Sequence, residues 1–533
     1  MVITDPRARK VAPQPMNTGT GHSGRPRRVG SWPPPPVVKH VPTRLVLLSA
    51  LLASCPAGGE EPPSVILITL DTTRPDFLGC YGSENPTPHL DRLAAGGVRF
   101  ERNYATSAVT PVSHASILTG LTPYQHGLRV LAAPGGYRLP EDVPTLATVF
   151  HERGYRTLAV HSSFPVSSTF GFARGFDVFE SLELEMTERP GGRKGWNAEA
   201  GERRSDLTMD LVLEELERTA RPYFLWVHLW DPHDPRLVPP AEWIPDSVPR
   251  VETRDGQVGF PPGSAIYAAE VRFVDRQLGR LFDHLRERGT FERTLIAVTA
   301  DHGEGLEDGL ERHGWEFHRI LYDEQIHVPL LLSGPGIPAG GVVGELNSSV
   351  DLFPTLLDYA DLAGPAGIEG RSLRGLIEGR SEAPRSAYAD QINGFDLNAT
   401  MVDRRPEADF LYAVVSGDWK LIWRPTRPER SELYHLAEDP LETLNRLSTE
   451  PERTRELLAD LARRDGWVLR MFSGDAPSPE VLAMLESIGY SNSGDAQGAD
   501  PNWQWLCPRE RTRHEERGHC PDCDTGLVLV KRR

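Results

Sequence analysis

Four short polar clusters hold the residues with which this chain could do chemistry. The segments Asp71–Asp76, His228–Pro235 and Asp301–Glu304 each follow an apolar run, and Thr110–Gly120 (TPVSHASILTG) begins with a hydroxyl. A single Asp or Thr at such a place often only caps a helix, and a single His is often a hydrogen-bonded core residue. In combination, two acids, a histidine and a hydroxyl suit a divalent metal such as Zn²⁺ or Mn²⁺.

Elements of an α/β fold must position these clusters. The runs Ser64–Leu70, Tyr223–Trp230 and Thr294–Thr299 favour β-structure and have apolar residues on both faces, which indicates central strands of a sheet that is covered on both faces. Helical patterns separate them, and the longest, Ile266–Arg288, ends at Gly289. The sequence therefore predicts a large, mostly parallel sheet between helices. Since open α/β sheets bind ligands at the carboxyl ends of their strands, the clusters should meet there.

The composition indicates a folded chain of more than one domain. It has 533 residues, of which 39% are apolar and 25% charged, so wholesale disorder, collagen and a polytopic membrane protein are excluded. The formal net charge of −17 argues against a nucleic-acid partner. The five cysteines are too few for the disulfide scaffold of a chain this long.

Residues 1–54 are predicted to be an N-terminal extension and a lipoprotein signal peptide. A basic flank precedes the apolar run Leu45–Cys55 (LVLLSALLASC), which is too short to span a bilayer. Its end is typical of a bacterial lipobox, in which Cys55 is lipidated; a plain signal peptide and an apolar strand are the alternatives. We therefore expect an exported lipoprotein of a bacterial cell envelope, on its periplasmic or outer-membrane face, with the lipid anchor as its membrane contact.

The remainder of the chain divides into four predicted segments. Residues 62–390 form the large α/β domain, and residues 406–470, with two extended runs and a charged helix, form a small α+β subdomain. Residues 473–503 are rich in Ser, Gly, Asp and Pro and are expected to be a linker. Residues 504–533 form a separate piece that contains three cysteines.

The cysteine-containing piece has the ligand spacing of a tetrahedral metal site. Cys507 lies upstream of Cys520 and Cys523, and His519 or His514 could supply the fourth ligand of a structural Zn²⁺. A disulfide between two of the cysteines is the alternative. The segment resembles the short heavy-metal-binding domain of some bacterial efflux proteins, although it lacks the Met-His pair that follows Cys-Pro in that family.

Taken in order, the motifs resemble those of the sulfatase family, within the alkaline phosphatase superfamily. The resemblance runs from about Pro62 to Arg464, and it rests on the segments Leu70–Gly82 (LDTTRPDFLGCYG), Ser113–Gly120, Asp231–Pro235, Asp301–Glu304, Leu321–Glu324, Val350–Leu357, Gly417–Ile422 and Glu432–Leu436. It implies a central mixed sheet between helices, a small C-terminal antiparallel sheet and metal-assisted ester hydrolysis.

The resemblance also implies the metal site. Asp71, Asp301 and His302 match metal ligands of the family, and Thr110 would complete the set. Thr72 stands where a second metal-binding Asp is frequent, so this site is less acidic than usual. One divalent cation is expected, with Zn²⁺ or Mn²⁺ favoured and Ca²⁺ or Mg²⁺ as alternatives.

Four further residues are candidates for contacts with the substrate. His233 matches an anion-binding histidine of the family, and His313 is a candidate for a second anion contact. His318 falls where many sulfatases place a Lys or His near the leaving-group oxygen, so it is the expected general acid. Arg74 could bind the anion as well, but a structural salt bridge is an equal alternative.

The chain departs from the family at the nucleophile. The common signature is Cys/Ser-x-Pro-x-Arg, whose first residue becomes formylglycine; here Thr110 takes that place and His114 takes the place of the Arg. Thr carries a Cβ methyl and cannot become formylglycine. Its ester lacks the second hydroxyl that would expel sulfate by C–O cleavage, so it must be hydrolysed at sulfur or phosphorus or passed to another acceptor. Thr110 is thus expected to be a metal-activated nucleophile.

These observations predict a metal-dependent hydrolase of sulfate or phosphate esters, with phosphoester chemistry slightly favoured. Its substrate would be a sulfated or phosphorylated small molecule, glycan or lipid. One alternative is a transferase of the cell envelope that moves a phosphoryl-linked head group. A second alternative is a non-catalytic lipoprotein that keeps the fold and binds anionic glycans.

Overall fold

A computed structural model describes residues 61–133, 136–180, 182, 186–189, 193–196, 201–233, 237–248, 251–252, 258–259, 263–306, 319–394, 409–464, 477–478, 481, 503–506, 513–514 and 528–531. The chain divides into two compact units, Met1–Gly59 and Glu60–Arg533, and every described residue belongs to the second. Several residues with predicted roles lie outside the described residues: Cys55, His313, His318, Cys507, His519, Cys520 and Cys523.

The described strands, in chain order, are β1 (Ser64–Leu70), β2 (Val98–Tyr104), β3 (Arg156–Val160), β4 (Val178–Glu180), β5 (Met186–Arg189), β6 (Arg193–Trp196), β7 (Tyr223–Leu229), β8 (Val251–Glu252), β9 (Val258–Gly259), β10 (Thr294–Ala300), β11 (His327–Ser333), β12 (Gly341–Val343), β13 (Asn347–Ser348), β14 (Ser386–Gln391), β15 (Leu411–Ser416), β16 (Trp419–Trp423), β17 (Glu432–His435), β18 (Trp503–Leu506), β19 (Arg513–His514) and β20 (Val528–Lys531).

The described α-helices are α1 (Pro88–Ala95), α2 (Thr110–Thr119), α3 (Pro123–His126), α4 (Leu146–Glu152), α5 (Ser205–Arg218), α6 (Ser264–Glu287), α7 (Asp323–Ile326), α8 (Leu352–Tyr359), α9 (Arg374–Ile377) and α10 (Pro451–Arg463). Among them, no helix is long and apolar enough to cross a membrane.

The central sheet confirms the predicted fold class. Nine described strands form it in the order β12-β2-β11-β10-β1-β7-β3-β4, with β13 paired to β2. Strands β10, β1, β7, β3 and β4 run parallel, whereas β11 is antiparallel to both β10 and β2. The strand β1 lies between β7 and β10, so the residues that follow these three strands meet at one edge of the sheet.

Alternating side chains of β1 enter the two cores that sandwich the sheet. Val65 and Leu67 pack with the helices α2, α4 and α8, whereas Ile66, Ile68 and Leu70 pack with α1, α5 and α6. Burying each such side chain stabilises the fold by about 1.5–3 kcal/mol. A strand whose apolar side chains enter both cores therefore has to lie in the middle of the sheet, which places the residue after it, Asp71, inside the protein.

A second, four-stranded antiparallel sheet forms the C-terminal subdomain, in the order β14-β15-β16-β17. The helix α10 packs on it through Leu457 and Leu461. The subdomain begins earlier than the predicted boundary at residue 406, because β14 (Ser386–Gln391) is its first strand. The sequence SAYADQ is short and has no continuous apolar run, so only its pairing with β15 shows that it is a strand. In the predicted cysteine piece, β18 pairs with β19 and β20.

Candidate active site

Three predicted metal ligands come together at the carboxyl edge of the central sheet. Asp71 follows β1 directly, and Asp301 and His302 follow β10, the parallel neighbour of β1. All three side chains are fully buried, and one ligand atom of each lies within 4.8 Å of the others. Because 230 residues separate the two strand ends in sequence, only the pairing of β1 with β10 creates this cluster.

The unpaired atoms of the cluster fit a divalent cation. Asp71 Oδ1, Asp301 Oδ2 and the hydroxyl of Thr72 are buried and have no hydrogen-bond partner among the described residues. His302 Nδ1 lies 2.9 Å from the carbonyl oxygen of Gly303, so Nδ1 carries the proton and the Nε2 lone pair is available as a ligand. Two carboxylates, an imidazole and hydroxyls are a donor set that Zn²⁺ or Mn²⁺ accepts.

The electrostatics of the site require positive charge. Burial raises the pKa of Asp71 well above its usual range, and the negative charges of Asp301 and Glu304 raise it further. Two adjacent buried carboxylates cannot both ionise cheaply without a compensating cation. Among the described residues, the two histidines that contact this cluster, His114 and His228, are poor sources of that charge, because burial lowers their pKa values.

Neighbouring groups hold the two carboxylates in place. His228 Nε2 donates to Asp71 Oδ2 at 3.0 Å, and Asp301 Oδ1 accepts from the backbone N–H groups of Thr72 (3.1 Å) and His302 (2.8 Å). Thr72 adopts the left-handed region with φ of 48°, which is strained for a β-branched residue. Its carbonyl accepts from Tyr267 at 2.7 Å, so bonds on both sides of the residue maintain this backbone conformation.

Thr110 is the first residue of α2 and lies beside the metal-type ligands. Its side chain is only 2% exposed, and its Oγ1 lies 3.3 Å from His302 Nε2. Val109 supplies the carbonyl that accepts from Ser113 N, so the helix begins before Ser113. Thr110 therefore belongs to the first turn, where the free N–H groups of a helix favour an anion. Gly120 ends the helix with φ of 68°, as the sequence predicts.

The structure also describes two of the predicted substrate contacts, His233 and Arg74. His233 lies just beyond β7 and stacks on the buried Trp230, with ring centroids 3.8 Å apart, so this aromatic contact orients its ring. Arg74 forms the salt bridge that was one of its two predicted alternatives: its Nη2 lies 2.6 Å from Asp76 Oδ2. Its Nη1 also donates to the carbonyl of Glu304 at 3.3 Å.

Sequence reasoning missed the roles of His228, His114 and Asp231. His228 contacts Asp71, and His114 contacts the carbonyl of Thr110 at 2.8 Å. Asp231 accepts from the backbone and the hydroxyl of Ser205, so its carboxylate holds the start of α5; burial raises its pKa to about 7. The sequence does contain a signal that His228 is buried: it lies two residues after Trp226, so the two side chains are on the same face of β7.

The fold and the site define an α/β protein with a cluster of candidate metal ligands at the carboxyl edge of its central sheet. The chain belongs to the sulfatase family: the family model "Sulfatase" matches residues 63–362, and the model "N-sulphoglucosamine sulphohydrolase, C-terminal" matches residues 311–464. Over 462 aligned residues the chain is 27% identical to an arylsulfatase of Clostridium perfringens. The alignment covers 74% of this chain and 92% of that protein.

Solved structures share the fold. A protein in complex with its substrate D-glucosamine-2-N,6-O-disulfate is similar with a TM-score of 0.60 at 22% identity, over 76% of this chain and 98% of that one. A phosphonate monoester hydrolase of Agrobacterium radiobacter is similar with a TM-score of 0.58 at 23% identity, over 75% of this chain and 96% of that one. The chain is thus an ester hydrolase whose relatives include enzymes named for sulfur and for phosphorus esters.

Proposed function

We propose that this protein hydrolyses phosphorus esters in preference to sulfate esters, with Thr110 as its nucleophile. The observation that carries the proposal is the position of the Thr110 hydroxyl, at the start of α2 and 3.3 Å from His302 Nε2. A threonine in this place cannot become formylglycine. In a hydrolase, the ester that forms on Thr110 has to be cleaved by water at its phosphorus or sulfur atom.

The residues present support a double displacement. Asp71, Asp301 and His302 would hold one divalent cation, with Zn²⁺ or Mn²⁺ favoured, which when bound would neutralise the buried carboxylates and polarise the ester oxygens. The oxygen of Thr110 bonds to phosphorus as the bond from phosphorus to the leaving oxygen breaks. His233 binds the non-bridging oxygens.

Proton transfers and hydrolysis of the threonine ester then return the site to its starting state. In the first step the hydroxyl of Thr110 releases its proton to solvent, and the leaving alcohol receives one from His318, which later regains a proton from solvent. Water cleaves the threonine ester at phosphorus in the second step, which releases phosphate and restores the hydroxyl and the acid. An acceptor alcohol in place of water would make the same site a transferase.

The names of the relatives suggest the substrate class. Aryl esters and a disulfated glucosamine are named for two proteins that this chain resembles. We propose a small aromatic or sugar ester, whose leaving oxygen His318 can protonate. Arg74 stays a candidate anion contact, although its salt bridge with Asp76 leaves less of its charge for a substrate.

The test compares p-nitrophenyl sulfate, p-nitrophenyl phosphate and bis-p-nitrophenyl phosphate with the wild type, Thr110→Val and Thr119→Val. Thr119 is a matched control, because it lies on the same helix and is 1% exposed; its hydroxyl donates to the carbonyl of Ala115 at 2.6 Å and accepts from the N–H of Leu121 at 3.3 Å. We expect turnover of phosphorus esters that falls by about 10³-fold or more in Thr110→Val and stays near the wild-type rate in Thr119→Val.

A covalent readout accompanies the rates. Acid quenching during turnover should add the mass of one phosphoryl group to the peptide that contains Thr110. Sulfate turnover above phosphate turnover would contradict the phosphorus preference. Equal rates in Thr110→Val and the wild type would exclude Thr110 as the nucleophile, and product that forms only with an added alcohol would identify the transferase.

We further propose that Cys55 carries a lipid anchor and that the protein is exported to a bacterial cell envelope. The support is the sequence alone, namely the apolar run Leu45–Cys55 with its basic flank. In a bacterial host, the wild type should sediment with membranes and leave them in detergent, whereas Cys55→Ser should be released. Equal release of both proteins would exclude lipidation at this residue.

A further inference from the structure

The first turn of α2 is tied to the central sheet by a buried chain of hydrogen bonds. His114 lies four residues after Thr110 on the same face of the helix, and its Nδ1 is 2.8 Å from the carbonyl oxygen of Thr110. Its Nε2 is 3.0 Å from the hydroxyl of Thr69 on β1. The same hydroxyl is 3.1 Å from the indole Nε1 of Trp226 on β7.

The chemistry of these groups fixes the direction of every bond. An indole N–H can only donate, so the Thr69 oxygen accepts from Trp226, and its own proton can go to His114 Nε2 when that nitrogen carries a lone pair. The carbonyl of Thr110 can only accept, so His114 Nδ1 carries the ring proton. The Thr110 carbonyl thus demands the tautomer of neutral His114 with its proton on Nδ1, which leaves Nε2 to accept from the Thr69 hydroxyl; the other tautomer would leave a buried carbonyl facing a ring lone pair.

The chain is completely enclosed. Trp226, Thr69 and His114 are 0% exposed, and Thr110 is 2% exposed. Water therefore does not replace a lost bond, and an unsatisfied buried partner carries its full desolvation cost.

The same two strands position the candidate metal ligands. Thr69 precedes Asp71 by two residues on β1, and Trp226 precedes His228, the partner of Asp71, by two residues on β7. Thr69 and His228 are register partners in the sheet. One pair of strands thus fixes both the carboxylate and, through His114, the peptide that carries the Thr110 hydroxyl.

We propose that Trp226, Thr69 and His114 form a positioning relay that holds Thr110 in the orientation for attack. This inference rests on the proposed role of Thr110 as the nucleophile. The three residues are positioning residues that bond to one another and to the carbonyl of Thr110, and His114 Nδ1 also lies 3.5 Å from Asp301 Oδ2. They act by fixing the carbonyl of Thr110, and with it the first turn of α2, relative to His302. The His114 imidazole thus holds the first turn of α2 through a hydrogen bond to the backbone of Thr110.

The kinetic test uses Thr69→Val and Thr69→Ser, with Thr299→Val as a matched control. Thr299 is the register partner of Thr69 on β10, precedes Asp301 by two residues, is equally buried and bonds to the carbonyl of Pro329 at 2.8 Å. In Thr69→Val we expect kcat for p-nitrophenyl phosphate to fall by about 10- to 100-fold with KM nearly unchanged. Thr69→Ser should recover the rate, and Thr299→Val should stay within about threefold of the wild type.

A spectroscopic test does not depend on activity. In the protein with ¹⁵N-labelled histidine, the signals that disappear in His114→Asn should report a neutral ring with its proton on Nδ1. In Thr69→Val the Nε2 signal should move to the value of an unbonded nitrogen.

The outcomes separate the two proposals. A proton on Nε2, a charged ring, or a rate in Thr69→Val equal to that of Thr299→Val would overturn the relay. Activity that survives in Thr110→Val would instead overturn the proposed nucleophile, and with it the catalytic purpose of the relay, while the ring signals would still report the hydrogen bonds.

Discussion

Asp71 and Asp301 show why the site needs a cation. Each is fully buried, and each keeps one carboxylate oxygen without a hydrogen-bond partner among the described residues. In the metal-free protein, burial and the neighbouring carboxylate raise the pKa of Asp71. The folded state therefore favours protonated Asp71, and its stability falls as the pH rises from the unfolded pKa of about 4 towards the raised folded pKa.

The stabilisation of the protein by a bound metal should consequently be larger at high pH than at low pH. We expect Mn²⁺ or Zn²⁺ to raise Tm by more at pH 8 than at pH 5.5, because ionised Asp71 and neutral His302 are the ligand forms. Differential scanning fluorimetry with and without a chelator measures this difference.

The control is Asp71→Asn, which removes the buried charge. It should raise the stability of the metal-free protein at pH 8 and abolish the response to metal. A metal-induced shift in Tm that is the same at both pH values would show that Asp71 is not a ligand.

At the scale of elements, a buried lysine joins the C-terminal sheet to the catalytic domain. Lys420 on β16 has a fully buried side chain, and its Nζ lies 2.8 Å from Asp323 on α7 and 2.9 Å from Glu442. Both carboxylates also bond to the surrounding protein: Asp323 accepts from Tyr104 at 3.2 Å, and Glu442 accepts from the N–H of Asp323 at 2.6 Å. The motif GDWKLI thus contains a structural cation of the domain junction.

Removing this cation should be costly. Lys420→Met keeps the apolar stem but leaves the buried carboxylate of Glu442 and the partly buried carboxylate of Asp323 without their partner, which we expect to lower the free energy of unfolding by about 3–5 kcal/mol. Urea denaturation followed by tryptophan fluorescence measures it.

An exposed ion pair provides the comparison. Arg218 pairs with Glu214 on the surface of α5, and both side chains are more than half exposed. Arg218→Met should therefore cost less than about 0.5 kcal/mol. Equal losses in the two variants would mean that the junction does not depend on Lys420.

At the scale of the whole molecule, the net negative charge of the protein repels the proposed anionic substrate. The chain has 58 basic and 75 acidic residues, so an anionic ester meets a repulsive long-range field on its way to the site. A bound cation would act only nearby. The Debye length shortens from about 30 Å at 0.01 M salt to about 8 Å at 0.15 M, so added salt should weaken this repulsion.

We therefore expect kcat/KM for p-nitrophenyl phosphate to rise between 0.01 M and 0.15 M KCl at a fixed metal concentration. A zwitterionic ester, p-nitrophenyl phosphorylcholine, should respond much less, because its net charge is zero. If added salt slows the anionic substrate instead, a local positive field at the site dominates the approach.

The sequence by itself determined the fold class, and it predicted Asp71, Asp301 and His302 as metal ligands, which the structure brings together. Continuous apolar runs such as Ser64–Leu70 can only be buried in the middle of a covered sheet, and the residue after such a run has to lie at the sheet edge. Asp71, Asp301 and Thr110 were therefore predictable from local patterns. The first strand of the C-terminal sheet was not, because Ser386–Gln391 is short and owes its conformation to pairing with β15.

Tertiary structure alone decided how these residues act on one another. Strand order brings β1 between β7 and β10, which places His228 against Asp71 and Thr69 between Trp226 and His114. It also pairs Arg74 with Asp76, a choice that the sequence left open. Hydrogen-bond directions and tautomers depend on which atoms face each other across strands that are distant in sequence. Local patterns contain no information on those distances, since burial and register are properties of the assembled sheet.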